Sequence, residues 1–489
     1  MLATAGGWFA WRRMARPPVS QRIVLAELDN RTGDPGFDVV LRNAVEIDLD
    51  QSPYIDVMGE GEVLNTLQLM GRTPDTALLP DVARELCVRS NRQVLVTGSV
   101  ASIGSKYLLT LEASDCTSGK ILAAAKAESA SKDQSLGALD AASAKLRQEL
   151  GESAESLEHF QVPIAQATTS SLEALKQYSI GEFLLGRMGK EENEVLPFFQ
   201  RAFELDPHFV MAAAAIALSY QRLGEYQLAR PYYQTAFDQS SHVSEKERLY
   251  IRAHYFADDQ KDVIQGLQAY RMWAEVYPRD WGPWLDMAIE YTRLGQFPEA
   301  IAAGQQALSL DQSRGIIYGV LARDYLRMDR DGDAKATAMR ALSLGKHSSL
   351  LDATLYETAL LEHDSVTMAR EVAQSEGKPG QWNLYDLQAF AAAREGKLKR
   401  AEELFHVAYE AAMRENLAEK ADGILMDEAN AELEGGLTAE ARTTLHRVRP
   451  QTLSSPQGAL LQAELGDTAL AERLLAAHPS TTGSDTLMT

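Results

Sequence analysis

The chain has 489 residues, 45% hydrophobic and 24% charged, with a formal net charge of −21 at pH 7. That length exceeds one compact domain, and the balance is globular, which excludes long disorder. The acidity, without any Lys/Arg run of five or more, excludes a nucleic-acid backbone binder, which needs a basic stripe.

Residues 1–11 (MLATAGGWFAW) are apolar and precede Arg12, Arg13 and Arg16. A spanning helix needs about 20 apolar residues. This run is about half that, but Trp8, Trp11 and the arginines resemble the interfacial end of such a helix. Residues 1–18 are therefore read as a partial transmembrane or membrane-proximal segment, a tether at the N-terminus. The other reading is a short tail that contacts the membrane.

Residues 20–150 read as an α/β domain. Arg22–Asp29 is a β-branched apolar run ending in a dense turn cluster, Asn30 to Gly36. Phe37, Val40, Leu41, Ala44, Val45 and Leu49 recur at helical spacing. A strand at Tyr54–Met58 and helices at Glu62–Met70 and Leu79–Val88 follow, the last opened by Pro80 and Asp81. Strands over Gln93–Ile103, Tyr107–Ser114 and Lys120–Ala127 are joined by hairpin turns, and a helix over Ser135–Leu150 closes the unit. This order predicts a mixed sheet with helices on one face. Residues 151–171, polar with Pro163 and a Thr/Ser cluster, read as a linker.

From Leu172 to Pro479 the chain turns Ala-rich and helical. Trp284, Met287, Ala288, Tyr291, Ala300 and Ala307 recur 34 residues on as Tyr318, Leu321, Ala322, Tyr325, Ala334 and Ala341. That is the period of tetratricopeptide (TPR) hairpins. Ala217, Tyr220, Gly224 and Ala229 fit the same frame, as do Gly266, Tyr270 and Trp273, and later Ala389, Ala392, Gly396 and Ala401. Six units are expected between Leu172 and Met413, the weakest near Leu350–Glu376, with degenerate ones around Asp422–Pro450 and Gly458–Pro479. Residues 480–489 read as a tail without a capping helix, so the array is expected to be truncated there. The fold class is an α+β domain followed by an all-α TPR solenoid.

Candidate chemistry is sparse. Gly98–Lys106 departs from a phosphate loop in spacing and context. Asp329–Asp333 lacks the twelfth-position glutamate of a calcium loop, where Arg340 stands. The nine histidines show no metal-binding pattern, and without a C-x-x-C pair a thiolate zinc site is excluded. No catalytic, cofactor or metal residues are assigned, and the chain reads as no enzyme. The cluster Asp29–Gly36 lies where binding loops often do, though turn chemistry accounts for its composition. Cys87 and Cys116 fall in the same domain. Two buried thiols are one reading and a bridge the other, which an extracytoplasmic location favours. In repeat arrays, first-helix residues line a concave groove for a protein or peptide. Arg293, Arg327 and Tyr255 are the candidates here, whereas Tyr220, Tyr291 and Tyr325 fall on a core position of the repeat.

The stretch VLAELDNRTGDPGFDVVLRNAVEIDLDQSPYIDVMGE, then LMGR, VARELC, VLVTGSVASIGSKYLLTLEASDCTSGKIL and ATTSSLEALKQYSIG, resembles a bacterial family. Its members are membrane serine/threonine kinases and winged-helix regulators, in which a transmembrane helix leads to an α/β domain and TPR repeats. The α/β part is also similar to the N-terminal domain of TolB and to CsgG-like proteins. The kinase or winged-helix domain has no counterpart here, so no catalytic residue carries over. The resemblance implies a sensor or scaffold half of a membrane-associated signalling system, displayed outside the cytoplasmic membrane. Arg12, Arg13 and Arg16 favour the opposite topology. The alternative is a soluble cytoplasmic scaffold assembling an enzyme complex.

Overall fold

The computed structural model describes residues 21–34, 37, 40–104, 106–132, 134–186, 188, 190–346 and 348–477. The expected membrane segment 1–18, the tail 480–489, and part of the turn ending at Gly36 lie outside the described residues. Among the described residues no helix is long and apolar enough to cross a membrane. The chain forms two compact units. One comprises Met1–Met188, Phe198–Ala212 and Asp238–Arg248, the other Gly189–Pro197, Ala213–Phe237 and Leu249–Thr489.

The first unit is built on a mixed sheet of β1 (Gln21–Leu25), β2 (Asp29–Arg31), β3 (Ile55–Val57), β4 (Val94–Ile103), β5 (Lys106–Asp115) and β6 (Ile121–Ser129). The order is β3-β1-β4-β5-β6, with β2 also pairing β4. β1 runs parallel to β3 and β4, in register Ile23 to Val94, and β4, β5 and β6 form an antiparallel meander. The Gly98–Lys106 stretch is the end of β4 and its hairpin turn. A Cβ on Gly98 would lie 2.8 Å from the Thr110 carbonyl oxygen, so close strand packing accounts for that glycine.

Helices cover both faces of the sheet, not one as the sequence order predicts. Ile23 and Leu25 pack with α1 (Val40–Asp50) and α4 (Ser135–Glu149). Val24 and Ala26 pack with α2 (Glu60–Leu69) and α3 (Pro80–Arg89) on the other side. The unbroken apolar run of β1 is that of a strand buried on both faces. The second core also holds Cys87 and Cys116, which the structure joins as a disulfide with Cα atoms 6.0 Å apart.

The stretch read as a linker, 151–171, is folded. It forms α5 (Ala154–Phe160) and α6 (Ile164–Ala167), with Phe160, Ile164 and Ala167 buried. Polar side chains hold it. Arg147, fully buried, donates two hydrogen bonds to Glu152 at 2.8 and 2.9 Å and one to the Asp48 carbonyl at 3.1 Å. The Gln51 amide makes a two-way exchange with the Val162 backbone at 2.9 and 2.7 Å. The unit then continues past the expected boundary at 171 into α7 (Leu172–Gly186), whose Ala174 and Leu175 join the sheet core.

The remaining helices pair as hairpins: α7 with α8 (Glu192–Leu205), α9 (Val210–Leu223) with α10 (Tyr226–Gln239), and α11 (Glu245–His254) with α12 (Val263–Val276). Next come α13 (Gly282–Arg293) with α14 (Phe297–Leu310), α15 (Gly315–Arg327) with α16 (Asp331–Ser343), α17 (Ser349–Leu361) with α18 (Ser365–Ser375), and α19 (Gln381–Arg394) with α20 (Leu398–Arg414). Before Met413 this gives seven hairpins where six are expected. The expected weak unit near Leu350–Glu376 is a complete pair. α21 (Ala418–Glu434) with α22 (Thr438–Leu445), the short α23 (Pro450–Leu453), and α24 (Pro456–Glu464) with α25 (Thr468–Ala477) complete the described array. Ala288, Ala300, Ala307, Ala322, Ala334 and Ala341 are all fully buried where helices approach. The first helix of a hairpin ends on a left-handed residue such as Gly295 (φ 69°), Asp329 (φ 54°) or Gly396 (φ 74°). Asp329 is thus a helix stop, whereas Asp331 and Asp333 lie in the first turn of α16.

Candidate functional site

Charged side chains from successive first helices of the second unit converge on one face. Their centre is Asp258, in a π-helical turn (Tyr255–Asp259) that follows α11. The turn aims this carboxylate inward, where it accepts from Gln221 Nε2 at 3.0 Å and from Arg293 Nη1 at 3.3 Å. His254 Nδ1 lies 2.9 Å from it. Burial alone would raise the Asp258 pKa, but the His254 hydrogen bond and the Arg293 charge hold it well below the usual carboxylate range. Gly266 of α12 makes room for the turn, since a Cβ there would lie 2.7 Å from that of Ala257.

His254 is buried, with its other ring nitrogen 3.5 Å from Asp286 and the Tyr270 hydroxyl 3.0 Å from Nδ1. Burial opposes its charge, yet Asp286 and Asp258 raise its pKa. Arg222 of α9 pairs with Glu192 at 2.6 Å. Arg293 pairs with Glu290 at 2.7 Å, and burial pushes the Glu290 carboxyl up to about 7.

The candidate residues separate. Arg293 belongs to this network. Arg327 is exposed at the end of α15, one turn beyond Arg323. Arg323 is half-buried, and its Nε makes no hydrogen bond. Burial depresses its pKa, the Asp324 and Glu357 carboxylates oppose that, and Arg327 and Arg293 add to the depression. Three guanidinium groups from two helices thus share one region with the carboxylates of Asp324 and Glu357. Tyr255 is used differently: its ring stacks on Phe237 at 3.9 Å between centroids, and its hydroxyl donates to Gln234 at 3.2 Å. The Tyr291 hydroxyl accepts from Arg271 Nη2 at 2.8 Å and the Tyr325 hydroxyl from Gln305 Nε2 at 2.9 Å; Tyr325 is buried and Tyr291 half-buried. Sequence reasoning missed Asp258, His254 and Arg323. Arg323 stands one helical turn before Arg327 and was legible by that spacing, but the π-helical turn left no mark in the repeat frame. Among the described residues no group of His, Cys, Asp and Glu is placed to hold a metal ion.

No protein-family model and no curated protein matches the chain. Among solved structures it is similar to Cut9–Hcn1 of the APC/C hetero-tetramer, with 13% identity over 71% of this chain and a TM-score of 0.43. It spans 63% of that chain's length. It is also similar to pilF of Pseudomonas aeruginosa (18% identity, 44% of this chain and 97% of that one, TM-score 0.29). A third likeness is to the C-terminal domain of LpoB from Escherichia coli (12% identity, 25% and 92%, TM-score 0.22). Such scores carry no argument about partners, and the TPR assignment rests on the chain's own hairpins.

Proposed function

We propose that the chain is a non-catalytic interaction scaffold whose repeat array takes a protein or peptide segment bearing carboxylates. The observation that carries this reading is Arg323, a half-buried guanidinium whose Nε is unbonded and which feels the like charges of Arg327 and Arg293. A buried cation with incomplete compensation is costly, and an incoming carboxylate relieves it through charge-assisted, often bidentate hydrogen bonds. The test titrates a fluorescent Glu-rich peptide and a Lys-rich peptide of equal length into the full chain. The acidic peptide should bind, and the Arg323→Gln/Arg327→Gln variant should weaken it about tenfold, the loss of one good charged contact. Equal binding of both peptides, or no effect of the variant, would sink the reading.

As the sensor or scaffold part of a membrane-associated bacterial signalling system, the soluble part would lie outside the cytoplasmic membrane. The pairing of Cys87 with Cys116 supports that side, because disulfides persist in oxidising compartments. Protease digestion of the repeats in intact spheroplasts is the expected outcome. Protection until the membrane is permeabilised would place the array in the cytoplasm and return the cytoplasmic scaffold as the better reading.

A further inference from the structure

Two helices of the second unit meet through their first turns although some 190 residues separate them along the chain. The Glu225 carboxylate, just ahead of α10, accepts hydrogen bonds from the backbone N–H groups of Glu419 at 2.8 Å and Lys420 at 3.2 Å in α21. In return, the Glu419 carboxylate accepts from the backbone N–H of Gln227 in α10 at 3.0 Å. Each helix start is therefore capped by the other's glutamate. Around this exchange Asn193 donates to Glu415 at 3.2 Å, and Glu415 also accepts from the Gly380 amide at 3.0 Å. Leu223 of α9 packs on the core formed by α19, α20 and α21. The contact adjoins the charged face: the Lys261 ammonium lies 4.9 Å from the Tyr226 ring at the start of α10, and Tyr226 feels the charges of Arg293, Glu419 and Asp258.

The first amides of a helix have no acceptor within it, and a carboxylate placed there also meets the positive end of the helix dipole. These are favourable terms. Burial works against them, raising the pKa of both Glu225 and Glu419.

We propose that the reciprocal Glu225–Glu419 exchange is a clasp that closes the repeat array on itself, joining the start of α10 to the start of α21. The clasp does not rest on the function proposed above. Hydrogen exchange on the full chain with no peptide present tests it. The amides of Gln227, Glu419 and Lys420 should exchange at least about tenfold more slowly than that of Glu299, an exposed first-turn residue of α14. The Glu225→Lys/Glu419→Lys variant should lose that protection and expand in small-angle scattering while its helical circular dichroism persists. First-turn amides that exchange like Glu299 in the unaltered chain overturn the clasp, even if the variant fails to fold. Unchanged protection and dimensions in a folded variant overturn it as well.

Discussion

Arg147 and Arg31 both pair with a carboxylate, yet burial gives the two pairs different meanings. Arg147 and its partner Glu152 keep almost no exposed side-chain surface, and the guanidinium also serves the Asp48 carbonyl. Arg31 and Asp29 are each more than half exposed. An exposed pair is screened and contributes close to nothing. Removing one member of a buried pair strands the other without water, at about 3–5 kcal/mol. Arg147→Ala should therefore destabilise the first unit by roughly 3 kcal/mol or more, while Arg31→Ala should leave it unchanged. Urea unfolding followed by circular dichroism separates the two, and equal midpoints would contradict this account of residues 151–171. Nothing in the local sequence announces the interaction. A polar stretch with proline, serine and threonine reads as a linker unless the buried arginine that collects its acids is known.

At the scale of elements, the strands and helices of the sheet domain were legible because each carries its own period and its own turn residues. β4, β5 and β6 fall within one or two residues of the expected limits. The hairpins were legible for the same reason, since small residues return at a fixed interval. What the pattern could not supply was any feature set by contacts between distant segments. The second helical layer, the folded 151–171 stretch and the meeting of α10 with α21 are all of that kind. The π-helical turn is another, because it exists to fit α12 against α11. Gly266 makes this testable. Its Ala variant would press a methyl to 2.7 Å from Ala257, and the neighbour there includes backbone at 3.0 Å, which cannot swing aside. Overpacking of this kind costs about 1–3 kcal/mol. Gly423, within α21, has no atom within 4 Å of the same added methyl. Gly423→Ala should instead stabilise by about 0.5–1 kcal/mol through helix propensity. Melting temperatures moving in opposite directions are expected. A shared sign would mean that the π-helical turn does not depend on close approach at Gly266.

For the whole molecule, the carboxyl groups determine how stability responds to pH. Burial pushes Glu290, Asp386, Glu428 and Asp48 up to about 7, and Asp324 and Asp140 up to about 6. In the unfolded chain such groups release their protons near pH 4. Between those values the folded state holds protons that the unfolded state has lost. The stability they contribute is fully present below the unfolded pKa and disappears as pH rises through the folded one. His254, raised as well, adds the same slope above its ordinary value near 6.5. Asp258 and Glu152 are held low, so their contribution is lost only in stronger acid, as pH falls through their folded values. With a formal charge of −21 at pH 7, partial protonation also relieves self-repulsion. The three effects share a direction from about pH 5 to 8. The melting temperature should therefore decline across that interval, although many proteins are most stable within it. In Glu290→Gln the decline should be shallower, because that side chain no longer titrates. Glu204→Gln, on an exposed carboxylate, should keep the full slope. A melting temperature that is level or rising from about pH 5 to 8 would mean that these buried carboxyls are ionised and compensated, and the charged face around Arg293 would then be a closed set of ion pairs with no unmet demand for a partner's carboxylate.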